Sequence, residues 1–352
     1  MKLIAIITLF LFIQKADGQV VLSADGPGDT YNLITSVLAP DNKPIEAPDC
    51  SHESFGEHID EVFDNDLDQN VFRFFIHTTP DDDRCINSDR QRNEIKSYDK
   101  SPNNLLGIEN EKVIYKWKFK LAAGFQSSPN FTHLHQLKSV GGSLESMPMY
   151  TLTTRKGNPD RLELRYAETD DQITLTRTDL APFLGVWVEA TEIIEYGTAG
   201  TYQIVIKRCA DDEVLFTYAD DSIINWRPGA EFVRPKWGIY RSLINAQDLR
   251  DEEVLFADFI IEEIQTTSNL ESSSDNLLIF PNPANQTIAI DNMINDIDLL
   301  ELFTLSGRKV LSRSIESQDM VTLDVSLFQD GIYILNMQGG NVQQSKVIVV
   351  SH

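Results

Sequence analysis

A strict alternation of apolar and charged side chains is the feature that most constrains the fold of this 352-residue chain. In residues 115–121, Tyr115, Trp117 and Phe119 occupy every second position and lysines fill the positions between them. A period of two places the two sets on opposite faces of a β-strand, whereas a helix repeats after about 3.6 residues. The run therefore predicts a strand with one aromatic face and one lysine-bearing face that is solvated.

Comparable short runs recur through the middle of the chain, separated by clusters of Gly, Pro, Asn and Asp. They lie at residues 149–154, 162–166, 173–176, 186–194, 202–207, 214–218 and 254–261. Many short strands at such spacing are typical of an antiparallel sandwich or jelly roll. One further segment, residues 57–63, is interpreted as a short helix or turn.

The two ends of the chain differ from this central part. Residues 1–18 combine a basic start, an apolar run and small residues, which is the pattern of a cleaved signal peptide and is too short to span a bilayer permanently. Residues 265–275 are polar and serine-rich, with the composition of a flexible linker. We therefore expect a central domain at 19–264 and a small C-terminal β-sandwich at 276–352, with no transmembrane segment.

Charge and cysteine content limit the classes of partner. The formal net charge of -24 opposes binding to nucleic acid or to an anionic membrane surface, so any anionic substrate must meet a locally basic cleft. The three cysteines allow at most one intramolecular disulfide and form no Cys/His metal-binding spacing. Cys50 and Cys85 are a plausible pair in an exported chain, and three unpaired thiols are the alternative.

One acidic run has part of the spacing of a calcium loop. Asp64, Asp66 and Asp68 alternate as calcium ligands do, but Gln69 replaces the turn glycine and Phe75 stands where a bidentate glutamate belongs. We therefore expect neither a metal nor an organic cofactor.

Four short motifs follow one another in the C-terminal part. They are Pro-Asn-Pro at 281–283, Ser-Gly at 306–307, Gly-Ile-Tyr at 331–333 and a terminal Lys-Val strand at 346–350. In this order they resemble the C-terminal sorting domain of the type IX secretion system. The resemblance implies that the secretion machinery is a partner and that the chain is secreted or held at the cell surface. An ordinary carbohydrate-binding β module is the alternative.

Three segments of the central domain concentrate polar side chains on one strand face each. In the first, Arg90, Arg92, Glu94 and Lys96 recur with a period of two. Such a row lies on a solvated strand face or in a cleft.

The second segment, residues 131–138, places His133 and His135 two residues apart and therefore predicts them on one face, with Gln136 on the other. Imidazole pairs can bind zinc, but no third His or Cys lies nearby. Packing and hydrogen bonding within a sheet is the other interpretation.

The third segment, residues 234–242, predicts Lys236, Gly238, Tyr240 and Ser242 on one face. A nearby cation stabilises a tyrosine anion, so Lys236 is the candidate for that role. A partly buried sheet aromatic is the simpler interpretation of Tyr240.

Together the segments resemble the motif strands of jelly-roll polysaccharide lyases, above all alginate lyases, with glucuronan and heparin lyases as relatives. The family motifs Arg-x-Glu-Leu-Arg, Gln-Ile-His and Lys-Ala-Gly-x-Tyr-x-Gln are matched in order by residues 92–96, 133–135 and 236–242. His133, Lys96 and Ser242 depart from the family pattern. The resemblance implies a concanavalin-like β-jelly-roll fold and β-elimination on a uronic-acid-containing, anionic polysaccharide.

The resemblance also implies roles for individual residues. Arg92 and His133 would neutralise the substrate carboxylate, Tyr240 would act as base, acid or both, and His135 would be a second base. The expected substrate-binding residues are Lys236, Arg90, Glu94, Lys96, Gln136 and Arg241.

Two other functions remain open from the sequence. A glycoside hydrolase of the same fold class needs two carboxylates flanking the bond, and the central domain has no Glu-x-Asp-x-Glu strand. A non-catalytic carbohydrate-binding or adhesin module predicts a face lined with aromatic side chains.

Overall fold

The computed structural model describes residues 19–264, 279–291, 297–305, 307–315, 320–339 and 342–352. The predicted signal peptide and linker lie outside the described residues, so those boundaries stay predictions. In the part of the chain that the structure describes, no helix has both the length and the apolar composition needed to cross a membrane.

Strands make up most of the described chain. The first fifteen are β1 (Gln19–Leu22), β2 (Ile45–Glu46), β3 (Ile59–Asp64), β4 (Gln69–Ile76), β5 (Arg90–Lys96), β6 (Lys112–Leu121), β7 (Thr132–Val140), β8 (Tyr150–Arg155), β9 (Arg161–Tyr166), β10 (Ile173–Asp179), β11 (Trp187–Glu195), β12 (Gly200–Arg208), β13 (Val214–Ile223), β14 (Phe232–Ser242) and β15 (Glu252–Ile264). Helix α1 is Thr30–Leu38, and short 3-10 turns lie at Asn103–Leu105, Ala181–Phe183 and Ala246–Asp248. The run at 115–121 and the seven comparable runs predicted as strands each overlap one of these strands.

Two large sheets pack face to face and confirm the predicted jelly-roll sandwich. One sheet has the order β13-β12-β11-β6-β15-β4-β3 with β1 paired to β15, and the other has the order β10-β9-β8-β7-β14-β5-β2. Between them, Trp117 of β6 lies 6.2 Å from Trp237 of β14, measured between ring centroids. Both side chains are fully buried, so the aromatic face predicted for residues 115–121 forms the interior.

The opposite face of β6 is solvated, as predicted. Lys116, Lys118 and Lys120 form ion pairs on the outer side of the first sheet, with Glu189, Asp258 and Asp66 respectively. These lysines therefore lie on the sheet that does not contain the three motif segments.

One local expectation changes, and one open alternative is decided. Residues 57–63 were predicted as a helix or turn, but β3 occupies most of this segment because Ile59 is buried against the core and residues 59–64 pair with β4. The α-helix is α1 instead, which buries Thr30, Ile34 and Leu38 at a spacing of one turn. Cys50 and Cys85 form a disulfide, and Cys209 is a free thiol.

The C-terminal part forms a separate pair of small sheets and confirms the predicted second sandwich. Its strands are β16 (Ile279–Phe280), β17 (Thr287–Asp291), β18 (Leu299–Thr304), β19 (Lys309–Ser314), β20 (Met320–Asp324), β21 (Gly331–Gly339) and β22 (Val342–Val350). Strands β16-β17-β20 form one sheet and β19-β18-β21-β22 the other. They enclose their own apolar core, in which Leu302, Leu335 and Ile348 are fully buried.

Gly238 is required for the pairing of β14 with β5. Its φ is +144°, and a Cβ there would lie 2.1 Å from the carbonyl oxygen of Asn93 on β5. We expect Gly238→Ala to lower the free energy of unfolding by about 3 kcal/mol or more, because backbone strain and a backbone clash combine.

Gly28→Ala is the matched control, since Gly28 also has a positive φ of +106° but nothing within 4 Å of the added carbon. Its expected cost is about 1 kcal/mol. Urea unfolding of both variants measures the difference, and equal losses would show that the contact with β5 is unimportant.

Candidate active site

The three motif segments become adjacent strands of one sheet, in the order β7-β14-β5. The pairing of β14 with β5 is regular and places Tyr240 opposite Arg92. On the outer face, the guanidinium carbon of Arg92 lies 3.7 Å from the centroid of the Tyr240 ring. Arg90 Nη1 donates a hydrogen bond to the phenol oxygen at 3.1 Å. Two guanidinium groups therefore surround the tyrosine, one at its ring and one at its oxygen.

The pairing of β7 with its neighbours is irregular between His133 and His135. Two residue steps separate the histidines on β7, but their partners on β8, Thr153 and Leu152, are consecutive. The extra residue in β7 reverses the alternation of side chains. His133 thus faces outward beside Tyr240, whereas His135 points into the sandwich, and the prediction that the two histidines share a face is wrong.

His133 is held in one orientation next to the tyrosine. Its ring centroid lies 5.7 Å from that of Tyr240, and its Nδ1 lies 2.7 Å from Thr153 Oγ1. Thr153 donates its own hydroxyl proton to Thr151 at 2.9 Å, so its oxygen accepts from His133 Nδ1. Burial lowers the pKa of His133 to about 3. The imidazole is therefore neutral at pH 7, and Nε2 carries the unprotonated lone pair.

His135 is 1% exposed and belongs to the interior. Its Nε2 lies 2.9 Å from a carboxylate oxygen of Glu192 on β11, and its Nδ1 lies 3.0 Å from the carbonyl oxygen of Lys236. Its ring centroid is 4.3 Å from that of Trp117. Both ring nitrogens thus have partners inside the sandwich, away from any substrate on the outer face.

Two other expected placements also change. Gln136 was expected on the face opposite the histidine pair, yet its amide donates to Glu94 on the outer face, the face of His133. Arg241 is fully buried on the inner face, where it donates to Gln91 and to the carbonyl oxygen of Arg250 at 2.8 Å each. Alternation along β14 turns Arg241 away from its neighbour Tyr240, so it does not line the outer face with the other predicted substrate-binding residues.

A buried ion network fills the outer face beside Tyr240. Arg92 bonds Asp83 at 2.8 Å and Glu94 at 2.5 Å, and Lys236 contacts Glu46 and lies 3.4 Å from Glu94. Burial by itself would raise the pKa of both glutamates, but Lys236 and Arg92 hold both below their usual range. The two carboxylates are therefore ionised, and the charge of Arg92 is largely compensated.

Lys236 does not have the role predicted for it beside the phenol. Burial lowers its pKa to about 8, and its ammonium group is engaged by Glu46 and Glu94. The cations in contact with Tyr240 are Arg90 and Arg92. Sequence spacing missed Glu46 and Asp83, because both come from segments outside the motif strands.

Like charges face each other directly across these strands. Lys138 pairs with Arg234, and Lys96 pairs with Lys236, in the registers of β14 with β7 and with β5. Burial and the neighbouring Arg234 lower the pKa of Lys138. Neither the Lys138 nor the Arg234 side chain has a hydrogen bond or ion pair among the described residues. Because like charges opposite each other on paired strands are destabilising, this pair lowers the stability of the sheet. Further cations of this face are Arg155, Arg161 and Arg165.

A comparison with family models agrees with the resemblance predicted from the C-terminal motifs. The family model described as "Secretion system C-terminal sorting domain" matches residues 278–351. The C-terminal module therefore directs the chain through the type IX secretion machinery to the cell surface or the extracellular space. No curated protein matches the chain.

Similar solved structures include several polysaccharide lyases. A PL-14 alginate lyase from Aplysia kurodai is 14% identical, with a TM-score of 0.47, covering 68% of this chain and 97% of its own. An endo-β-1,4-glucuronan lyase from Trichoderma reesei is 15% identical, with a TM-score of 0.41 and coverages of 58% and 86%. An alginate lyase from Pseudomonas aeruginosa is 13% identical, with a TM-score of 0.39 and the same coverages of 58% and 86%.

The two histidines should respond differently to truncation. His135→Ala removes a partner of the buried Glu192 and opens a cavity, so we expect a loss of about 3 kcal/mol in the free energy of unfolding. His133→Ala, on the outer face, should cost about 1 kcal/mol. Denaturant unfolding tests both, and equal losses would contradict the opposite orientations.

Proposed function

We propose that this secreted protein is a polysaccharide lyase that cleaves a uronic-acid-containing polysaccharide by β-elimination. The observation that carries the proposal is the outer-face arrangement around Tyr240, whose phenol accepts from Arg90 and whose ring lies against Arg92. A neutral His133 lies beside it. Cations without partners among the described residues, Lys138 and Arg234, share the face.

β-Elimination needs three functions, which this face can supply. A base removes the proton at C5 of the uronate, the C4–O4 bond breaks as a C4=C5 double bond forms, and an acid protonates the departing oxygen. The C5 proton is weakly acidic while the adjacent carboxylate is charged, so a cation or hydrogen-bond donor must stabilise the enolate-like transition state.

The geometry suggests how these functions are divided. His133 has a lone pair at Nε2 and is the candidate base, while the Tyr240 hydroxyl is the candidate acid. Arg90 is only half-buried and its Nη1 contacts the phenol oxygen, while its Nε and Nη2 bond the exposed Asp89. It is the candidate partner for the substrate carboxylate, which would compete with Asp89 for the guanidinium group. Arg92 is neutralised by Asp83 and Glu94 and acts by positioning the tyrosine ring.

The same charges indicate an extended anionic ligand. Arg234 and Tyr240 face the same side of β14 six residues apart, which corresponds to about 20 Å along a strand. A ligand that touches both groups must therefore be extended. Its negative charges would pair directly with Lys138 and Arg234, on which Glu46 and Glu94 act only from beyond ion-pair distance.

The ionised state of the glutamates disfavours a hydrolase. A glycoside hydrolase needs one protonated carboxylic acid, but Glu46 and Glu94 are both held ionised by Lys236 and Arg92. A pure binding module has no need of an arginine-flanked phenol next to a neutral imidazole.

The decisive assay follows ultraviolet absorbance of the unsaturated uronate during incubation with a panel of uronic acid polymers, including alginate and glucuronan. We expect absorbance to rise with at least one polymer, and Tyr240→Phe to lower kcat/KM by about 100-fold to 10,000-fold. Tyr218→Phe, on the outermost strand of the other sheet, is the matched control and should retain activity.

Three results would contradict this proposal. Reducing ends without the absorbance would indicate hydrolysis, binding without cleavage on the whole panel would indicate a binding module, and near-native activity of Tyr240→Phe would exclude the tyrosine mechanism.

The unpaired cations should govern substrate affinity. We expect Arg234→Gln and Lys138→Gln to raise KM several-fold at low ionic strength while leaving kcat nearly unchanged, because they lie away from Tyr240. Lys116→Gln removes a lysine from the opposite sheet and serves as the control. A loss in kcat alone would place these residues in the chemical step instead.

A further inference from the structure

Four side chains that can bind a metal meet at one end of the β3–β4 hairpin. His52, His58, His77 and Asp81 each offer a ligand atom, and these atoms all lie within 4.8 Å of one another. His58 directly precedes β3 and His77 directly follows β4, so strand pairing brings them together. His52 and Asp81 come from the loops before and after the hairpin.

The spacing of these atoms fits a zinc ion. Asp81 Oδ1 lies 2.9 Å from His52 Nδ1 and 3.4 Å from His58 Nε2, and Asp81 Oδ2 lies 3.1 Å from His77 Nδ1. Tetrahedral zinc with bonds of about 2.0 Å separates neighbouring ligand atoms by about 3.3 Å. Three imidazoles and one carboxylate are also ligand types that zinc prefers.

His58 provides an independent indication of a bound cation. Its side chain is fully buried, and its Nε2 has no hydrogen-bond partner among the described residues. Its Nδ1 lies 2.7 Å from Asp49 Oδ1, and Tyr31 donates to the same carboxylate at 2.9 Å. With Nδ1 bonded to Asp49, Nε2 is the ring nitrogen aimed at Asp81, whose Oδ1 lies 3.4 Å away. A buried, unbonded imidazole nitrogen at that distance from a carboxylate oxygen matches two ligand atoms of one cation.

The surroundings match those of a structural rather than a catalytic metal. Metal-bound histidines commonly donate their other nitrogen to a carboxylate, as His58 does to Asp49. The ring of Phe55 covers the cluster, with centroids 4.5 Å from His77, 4.7 Å from His58 and 5.4 Å from His52. Four protein ligands under an apolar cover leave no open coordination position for a substrate.

The two ligand-bearing loops also have restraints that do not involve a metal. The disulfide between Cys50 and Cys85 joins them, with a Cα separation of 6.2 Å. From the inner face of β5, Asn93 donates to the carbonyl oxygen of His58 at 2.7 Å and Gln91 donates to that of Asp81 at 2.8 Å. The ligand cluster is therefore attached to one of the motif strands.

We propose that His52, His58, His77 and Asp81 form a structural zinc site that holds these loops against β5. Asp83 lies two residues beyond Asp81 on the same loop and bonds Arg92 at 2.8 Å. The site thus also orders the loop that positions an arginine on the outer face. Metal binding does not depend on the proposed enzymatic activity.

The test uses the full chain, expressed without an affinity tag, stripped with a chelator and titrated with Zn²⁺ against a chromophoric competitor. We expect one tightly bound equivalent, a higher Tm with zinc, and intense visible bands of four-coordinate Co²⁺ after cobalt substitution. His52→Ala and His77→Ala, at partly exposed positions that tolerate truncation, should weaken zinc binding by at least about 100-fold.

His352→Ala is the matched control, because His352 also pairs with a carboxylate, Asp330, but lies in the C-terminal module. It should bind zinc as the parent chain does. The alternative is a cluster held only by hydrogen bonds to Asp81. Two results would establish that alternative and overturn the proposal. One is that the parent chain binds no stoichiometric zinc, and the other is that His52→Ala and His77→Ala both bind zinc with unchanged affinity.

Discussion

The extra residue in β7 decides which chemical groups reach the outer face of the central sheet. Without it, His133 and His135 would both face outward, as strict alternation requires. With it, one histidine lies beside Tyr240 and the other completes a buried hydrogen bond with Glu192. The candidate site and the sandwich interior therefore depend on the same local irregularity.

The cations of the outer face fall into two groups. Beside Tyr240, Glu46 and Glu94 neutralise Lys236 and Arg92 and fix them in place. Farther along the strands from Tyr240, Lys138 and Arg234 form no ion pair among the described residues. This arrangement explains how a chain with a net charge of -24 presents a basic face: the acidic excess lies elsewhere.

The hairpin end and the candidate site are mechanically connected through β5. The inner face of this strand holds the loops through Gln91 and Asn93, and its outer face carries Arg90 and Arg92. The disulfide adds a covalent restraint at the same end. A displacement of the loop that carries Asp83 is therefore expected to move Arg92, because Asp83 bonds its guanidinium group.

The sequence by itself determined the elements whose signal is local. Alternation predicted β6 and its buried aromatic face, and the ordered motifs predicted both the jelly roll and the C-terminal sorting domain. Alternation also placed Arg92, Glu94 and Tyr240 correctly on one face, because the β14–β5 register is regular.

Only the tertiary structure decided what depends on long-range pairing. A bulge reverses the direction of every later side chain in its strand. No local sequence pattern predicted the bulge in β7 that places His133 and His135 on opposite faces. Glu46, Asp83 and the cluster of His52, His58 and His77 come from segments distant in sequence. Residues that share no period along the chain become neighbours only when strands and loops pair, and for that reason their chemistry could not be predicted from spacing.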